Sequence, residues 1–560
     1  MIGKALCAIR NFVLLGEIAT LVMVLMLSTA YASQPAAAQK QSIPPAAKTS
    51  YVLTPENFHH YFTEFQRQEL DAIGKSPTAP WAWMEANIPW FECSDAEFQE
   101  IYYFRWYSFQ KHIVHTERGD LLSEFLFKVK WAGYGNTVSV AVPHQLREAR
   151  WLRDPRLADD DARFWLSPDA HHNRDYSLAL ADSIRAVTLA TGNDKLGIDL
   201  LPAMVDNYHG WEETHQDKNG LFWSIDTRDG MEISISGDGY RPTLNSYMYG
   251  DAKAIEMLAA LHHDATLGAE FARKAEEQKQ RVETQLWNSH DQFYEVISPA
   301  ADSGIRKQPK FKDRGTTLAS ANVRELIGYV PWYFDLPAPD HAVAWKQIYD
   351  PEGFAGAFGP PTAERRSPHF RFANDDQCQW NGPTWGFATT QTLVAVANMM
   401  NDQEQNIVSK QDYLQLFAAY VHSHRLRLPD GETIPWLDEA VDPNTGEWVT
   451  RRLLIERKEP YVGRGAYYDH SGFVDPLVTG LIGLRPRGDN LIVLNPLLPA
   501  GAWSYFTIDG LPYHGHILTI LYDKAGDHYH RGSGLALLVD GKLRASRKDL
   551  GQLQYALPRN

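Results

Sequence analysis

Cysteine is scarce in this chain. Three in 560 residues cannot build a disulfide framework. Basic charge is also short, with 54 Lys and Arg against 69 Asp and Glu and a formal charge of −15, so the surface is poorly suited to displacing counterions from a nucleic-acid duplex. No glycine-rich phosphate loop, Gly-x-Ser-x-Gly elbow or dinucleotide fingerprint occurs. The pairs His59-His60, His171-His172 and His262-His263 are adjacent, so on a helix their rings diverge by about 100° and share no ion. Asp442-x-Asn444-x-Gly446 lacks an oxygen side chain at its fifth position and reads as a turn, not a calcium loop. Neither a metal nor a cofactor is expected.

Long apolar runs are missing except at the amino-terminus. Lys4 and Arg10 precede the run Ile18–Leu27, and Ala30-Tyr31-Ala32 follows with the small-x-small pattern that signal peptidases cleave. The stretch from Ile18 to Ala32 is shorter than the about 20 residues that span a bilayer. Residues 1–32 are therefore expected to be a removed signal peptide, which implies a periplasmic or secreted protein with no stable membrane insertion. Cys93 and Cys378 then remain, as one disulfide or two thiols. Residues 33–50, rich in Ala, Gln, Pro and Ser, read as a flexible leader.

Apolar material is abundant, at 44%, including 17 Trp, 26 Tyr and 24 Phe. Ser94-Asp95-Ala96-Glu97 has the form of a capping box opening an aromatic helix to about His115, and 120–142 looks strand-like from its Val138, Val140, Val142 alternation. Helical periodicity then recurs in pairs, from Pro168 and from Leu196 around a Thr191-Gly192-Asn193 break. It continues over 244–262 with 266–287, and over 384–400, 412–425 and 472–484. Beyond about Arg487 short β-branched runs alternate with Gly, Asp and Pro turns. The predicted fold is mainly α: an extension over 51–150, a six-hairpin α/α toroid (barrel) catalytic domain over 151–487, and a small C-terminal β-domain over 488–560.

Three loops between the predicted helices carry chemistry. One runs Asp229-Gly230-Met231-Glu232 to Asp238-Gly239-Tyr240-Arg241-Pro242. A second is Gln379-Trp380-Asn381-Gly382-Pro383-Thr384-Trp385, and a third is Pro435-Trp436-Leu437-Asp438-Glu439 to Gly446. Paired carboxyls beside Trp rings suit acetal hydrolysis. One carboxyl protonates the leaving oxygen while the other acts from the opposite face, and sugar C–H faces stack on indoles.

These loops resemble, in order, motifs of the clan of glycosidases holding glycoside hydrolase family 63, the family 37 trehalases and bacterial mannosylglycerate hydrolases. Gly230-Met231-Glu232 is similar to the clan's general-acid segment, and Arg241-Pro242-Thr243-Leu244-Asn245-Ser246-Tyr247 to its helix start. Trp380-Asn381-Gly382-Pro383-Thr384-Trp385 resembles its sugar-lining Trp motif. Glu439-Ala440-Val441-Asp442-Pro443-Asn444-Thr445-Gly446 resembles its base segment, and Phe473–Leu484 its closing helix. The resemblance implies a glycosidase acting on an oligosaccharide or small glycoside, with Glu232 as acid and Glu439 as base. Where the clan carries Asp, this chain has Glu232, so Asp238 is kept as a second candidate acid.

Trp380, Trp385 and Trp436 are the expected sugar platforms, with Asn381, Arg241 and the Arg153-Asp154 pair as candidate sugar ligands. Inversion would need the two carboxyls about 6.5–9.5 Å apart, and retention about 5–5.5 Å. Three other readings fit an aromatic toroid. A polysaccharide lyase would release unsaturated products, a phosphorylase would need phosphate, and an exported sugar-binding protein would leave its ligand unchanged.

Overall fold

A computed structural model describes residues 51–69, 80–170, 172–300, 303, 305, 323–460 and 462–558. The predicted signal peptide and leader lie outside them, as does His171. The described chain is mainly helical with a small β-domain at its carboxyl end.

The paired helices are present. Leu180–Thr191 ends at Gly192, whose φ of 68° supplies the left-handed cap a side chain resists, and Asp194–His215 follows at once. Pro242–Leu261 packs on Ala265–Arg281, whose start is capped by Asp264 accepting from Leu267 N. Gly386–Asp402 is followed by Lys410–Ser423, which opens with a reciprocal Ser409/Asp412 capping box. Among the described residues no helix is long and apolar enough to cross a membrane.

Three local readings are corrected. The aromatic helix spans Ala96–Phe109 and is capped by Asp95 alone, and the chain turns at Gln110–His112 into the strand Ile113–Thr116. The region 120–142 is mostly not a strand. Only Gly119–Leu122 pairs, with Ile113–Thr116, whereas Val138–Val142 passes through a 3-10 turn into the helix Val142–Ala149, with Pro143 in its first turn. The closing helix is shorter than expected, running from Val474–Pro476 directly into the π-helical turn Leu477–Leu481. Its first N–H groups, which have no intrahelical acceptor, donate to the buried Glu148 carboxylate from Phe473, Val474 and Asp475 at 2.9, 3.1 and 2.8 Å.

The β-domain is a five-stranded antiparallel sheet in the spatial order Trp90–Cys93, Tyr505–Tyr513, His516–Asp523, Gly534–Val539, Lys542–Arg547. Its first strand comes from the extension, with Trp90 opposite Asp509. The Asp509 carboxylate also accepts from the backbone of Tyr51, Val52 and Leu53 at 2.7, 2.6 and 2.9 Å. The aromatic helix of the extension packs on Lys410–Ser423 through Phe98 and Phe417, with ring centroids 5.5 Å apart. The described residues of the extension are thus woven into both the helical body and the sheet. Cys93 and Cys378 are free thiols.

Candidate active site

The acid-bearing loop is held in a strained turn. Gly230 has φ +71°, and a Cβ there would meet Val140 Cγ2 at 2.7 Å, so glycine is required. Ile233, a β-branched residue, has φ 61°, a conformation that costs free energy and persists only when its surroundings impose it. Those surroundings come from the Trp loop: Trp380 N–H donates to Glu232 O at 3.0 Å and Asn381 Nδ2 to Ile233 O at 3.3 Å. Beneath the turn Arg241 is fully buried, paired with Asp229 at 2.6 Å and donating to Ser234 Oγ at 3.2 Å. A short pairing of Thr384–Trp385 with Ala440–Val441 sets Trp385 opposite Ala440, which brings the Trp loop beside Glu439.

Glu232 and Glu439 line one cavity of about 270 Å³, together with Glu124, Trp380, Trp385, Cys378, Arg464 and His470. Their surroundings differ. Burial, with Asp226 and Glu439 nearby, pushes the Glu232 carboxyl up to about 8, although its side chain keeps some contact with the cavity. Glu439 is held by Arg464 through two hydrogen bonds, Nε to Oε1 and Nη2 to Oε2, both 2.7 Å. Its backbone N–H donates to Asp438 Oδ1 at 2.9 Å. Burial first, then Glu439, pushes Asp438 up to about 6. Trp380 and Trp385 stack on each other, centroids 4.5 Å apart and 14° from parallel, and form one apolar wall.

Five expected site groups lie elsewhere. Asp238 is buried and accepts Asp226 N–H at 2.8 Å, so it shapes the loop and does not line the cavity. Arg241 is committed beneath the turn, because a buried guanidinium needs its acid. Asn381 spends its amide on Ile233 O, its backbone O accepts from Arg371 N at 2.7 Å, and it does not line the cavity. Trp436 is fully buried and does not line the cavity; its Nε1 donates to Asp438 Oδ2 at 3.3 Å, with the Arg451 guanidinium 5.1 Å over its ring. Arg153 donates to Glu85 O at 2.9 Å and Gly510 O at 3.2 Å, tying the extension to the sheet, while Asp154 pairs with Arg156. The Asp442 turn is present, its carboxylate accepting from Asn444 N at 2.9 Å and Thr445 N at 3.1 Å.

Sequence reading missed Glu124, Arg464, Tyr468 and His470. Glu124 accepts the Tyr468 hydroxyl at 2.7 Å, and burial, then Glu439 and Glu232, pushes it up to about 8. The Tyr468 ring stacks on His470 at 3.7 Å, and burial drives that imidazole well below its ordinary pKa, leaving it neutral. Arg464 had a signal, an arginine set between Gly463 and Gly465. Glu124 had none, as a single acid in the run Phe125–Phe127 and Leu121–Leu122.

Residues 134–471 match the family model of the mannosylglycerate hydrolase MGH1-like glycoside hydrolase domain. Residues 484–543 match that of the glycosyl hydrolase family 65 C-terminal domain. A solved structure named a sialidase is 39% identical over 90% of this chain with a TM-score of 0.82, and the match spans 45% of that protein's length. The GH63 mannosylglycerate hydrolase from Thermus thermophilus, solved with glucose, is 12% identical over 67% of this chain and 98% of its own, with a TM-score of 0.45. An uncharacterized protein of Borreliella burgdorferi is 24% identical over 152 residues, 27% of this chain and 28% of its own.

Proposed function

The chain belongs to the family of MGH1-like glycoside hydrolase domains, and on that footing we propose that it is an exported glycosidase that cleaves an oligosaccharide or small glycoside with inversion. Its paired helices are read as a six-hairpin α/α toroid. The observation that carries the proposal is the contrast between two glutamates on one cavity. Glu232 has a raised pKa, while Glu439 sits in a bidentate pair with a guanidinium. Two carboxyls in unlike environments are what separate acid from base.

In this reading Glu232 stays protonated at neutral pH and donates to the glycosidic oxygen as the bond breaks. Glu439 takes a proton from the water that attacks the anomeric carbon. Arg464 occupies one lone pair on each Glu439 oxygen, and each oxygen retains a second for that water. The Trp380/Trp385 wall covers an apolar sugar face and excludes bulk water, which strengthens the charge interactions within. Export rests on the amino-terminal pattern, with removal after Ala32.

The test is purified protein on a panel of α- and β-linked oligosaccharides, with the first-formed anomer read by NMR. Inversion, lost in Glu439→Gln, supports the reading. Retention with Glu439 essential would make it a nucleophile. Activity untouched by Glu439→Gln would end the site assignment.

A further inference from the structure

The cavity has a third carboxyl, and it comes from outside the family-matched residues. Glu124 precedes residue 134, where the match begins. It leaves the strand Gly119–Leu122, and its stretch is pinned from across the fold: Asp469 N–H donates to Glu124 O at 3.1 Å and Gln145 Nε2 to Ser123 O at 3.2 Å. The Tyr468 hydroxyl then fixes the carboxyl in place at 2.7 Å without neutralising it. Two buried acids with structural work in this protein are held by several donors each. Asp229 is taken by Arg241 and Thr243, and Glu148 by three backbone N–H groups. Glu124 has one neutral donor among the described residues and faces an open cavity.

The cation count on the cavity is equally specific. Among the described lining residues the one Lys or Arg is Arg464. Its Nε and Nη2 are on Glu439, and its Nη1 is on Gln377 Oε1 at 3.2 Å. His470, neutral through burial, adds no charge. An anionic sugar would shed its hydration into a space whose one cation is already committed to Glu439, so its charge would be left without a partner, which is unfavourable. A sugar bearing only hydroxyls meets the opposite situation: an aromatic wall for its C–H face and a carboxyl, acceptor in either protonation state, for its polar edge.

We propose that Glu124 is the specificity-determining residue of this cavity, binding a hydroxyl of the sugar whose anomeric carbon reacts and restricting that sugar to an uncharged one. The inference rests on the glycosidase reading and deepens it by naming the substrate class. It assigns the choice of sugar to the segment before residue 134, while the acid and base lie within the family domain.

The experiment compares wild type, Glu124→Gln and Tyr468→Phe on 4-nitrophenyl pentosides and hexosides, alongside uronides and a sialoside. Wild type is expected to turn over at least one neutral member, with uronides and the sialoside below about 1% of that rate, as a site lacking the required partner rejects its analogue. Glu124→Gln is expected to raise KM about tenfold with kcat within about threefold, and Tyr468→Phe to shift KM the same way by less. An unchanged melting temperature certifies folding, and Tyr468→Phe still decides the matter if Glu124→Gln is lost.

Turnover of a uronide or sialoside comparable to the neutral sugars overturns the proposal. So does an unchanged KM, and so does a kcat loss of about 10³ at constant KM, which would place Glu124 in proton transfer. If no glycoside is hydrolysed, the glycosidase reading fails, and calorimetric titration of wild type with the free sugars decides the inference separately. Neutral binding weakened about tenfold in Glu124→Gln supports it, whereas binding of uronates, or of no neutral sugar, overturns it.

Discussion

Two polar cavities among the described residues are of opposite design. One, about 430 Å³, is lined by Arg147, Arg150, Arg185 and Arg485. Each of these has an acid: Arg147 and Arg185 share Asp182, Arg150 holds Asp475 at 2.6 Å, and Arg485 holds Asp402 at 2.9 Å. Asp335 alone stands out there, pushed up to about 7 by burial and then by Asp402. The other cavity, about 270 Å³, sets three glutamates against one arginine. The larger space is a lattice of matched ions that joins helices to the β-domain, and the smaller holds unmatched acid. In the proposed reading the site is marked less by size than by several carboxyls with raised pKa values on one cavity, which stay protonated near neutral pH.

The contrast breaks most visibly at the two proposed catalytic groups. Glu439→Gln and Glu232→Gln are each expected to cut kcat about 10³-fold in steady-state assays. The melting temperature should stay at or above wild type in Glu232→Gln, which removes an unmatched buried acid, and fall in Glu439→Gln, which strands Arg464. Arg150→Ala should do the reverse. It strands Asp475, which also accepts from Trp151 Nε1 at 2.8 Å, and is expected to cost about 3–5 kcal/mol by denaturant titration while the folded fraction keeps its kcat. Catalytic loss without destabilisation in Arg150→Ala would erase the distinction between the cavities. The pH profile refines it. If Glu232 is the acid, kcat/KM should fall about tenfold per pH unit above about 8, where its carboxyl ionises. Asp238→Asn should then change kcat by less than about threefold, because the amide oxygen can still accept Asp226 N–H.

Local signals made the helix pairs and both proposed catalytic loops readable. Gly192 and the run Leu491–Leu494 behave as punctuation and strand, as their residue types dictate. Glu232 and Glu439 were found because each sits in a motif whose residues also build its turn. Motif membership did not say which polar residues face the cavity. Arg241, Asn381 and Trp436 support the loops from behind, because a strained turn at Ile233 needs a buried scaffold. Glu124 was invisible for a different reason: its partner Tyr468 is 344 residues away, and that pairing exists only after folding. Val138 to Val142 misled because alternation carries no information about Pro143, which starts a helix there.

The smallest expected effect separates Glu232 from the other acids with raised pKa values. Its carboxyl is near 8 in the folded protein against about 4.3 unfolded, so between those values the folded state binds the extra proton. Stability contributed by that difference is fully present below the unfolded value and declines as pH rises through the folded one. Glu124 and Asp469, both near 8, and Glu148, near 7, give the wild type the same slope, so its own melting curve cannot isolate one group. The difference between Glu232→Gln and wild type does, because these and the other raised acids, among them Asp161, Glu295, Asp335 and Asp438, are common to both proteins. That difference is expected to grow by about 2 °C from pH 5 to pH 8 by scanning calorimetry, small because melting temperatures of large domains respond weakly to each kcal/mol. A constant difference would mean that Glu232 is already ionised at pH 5. The acid would then have to be Glu124, the remaining cavity carboxyl without a cation beside it.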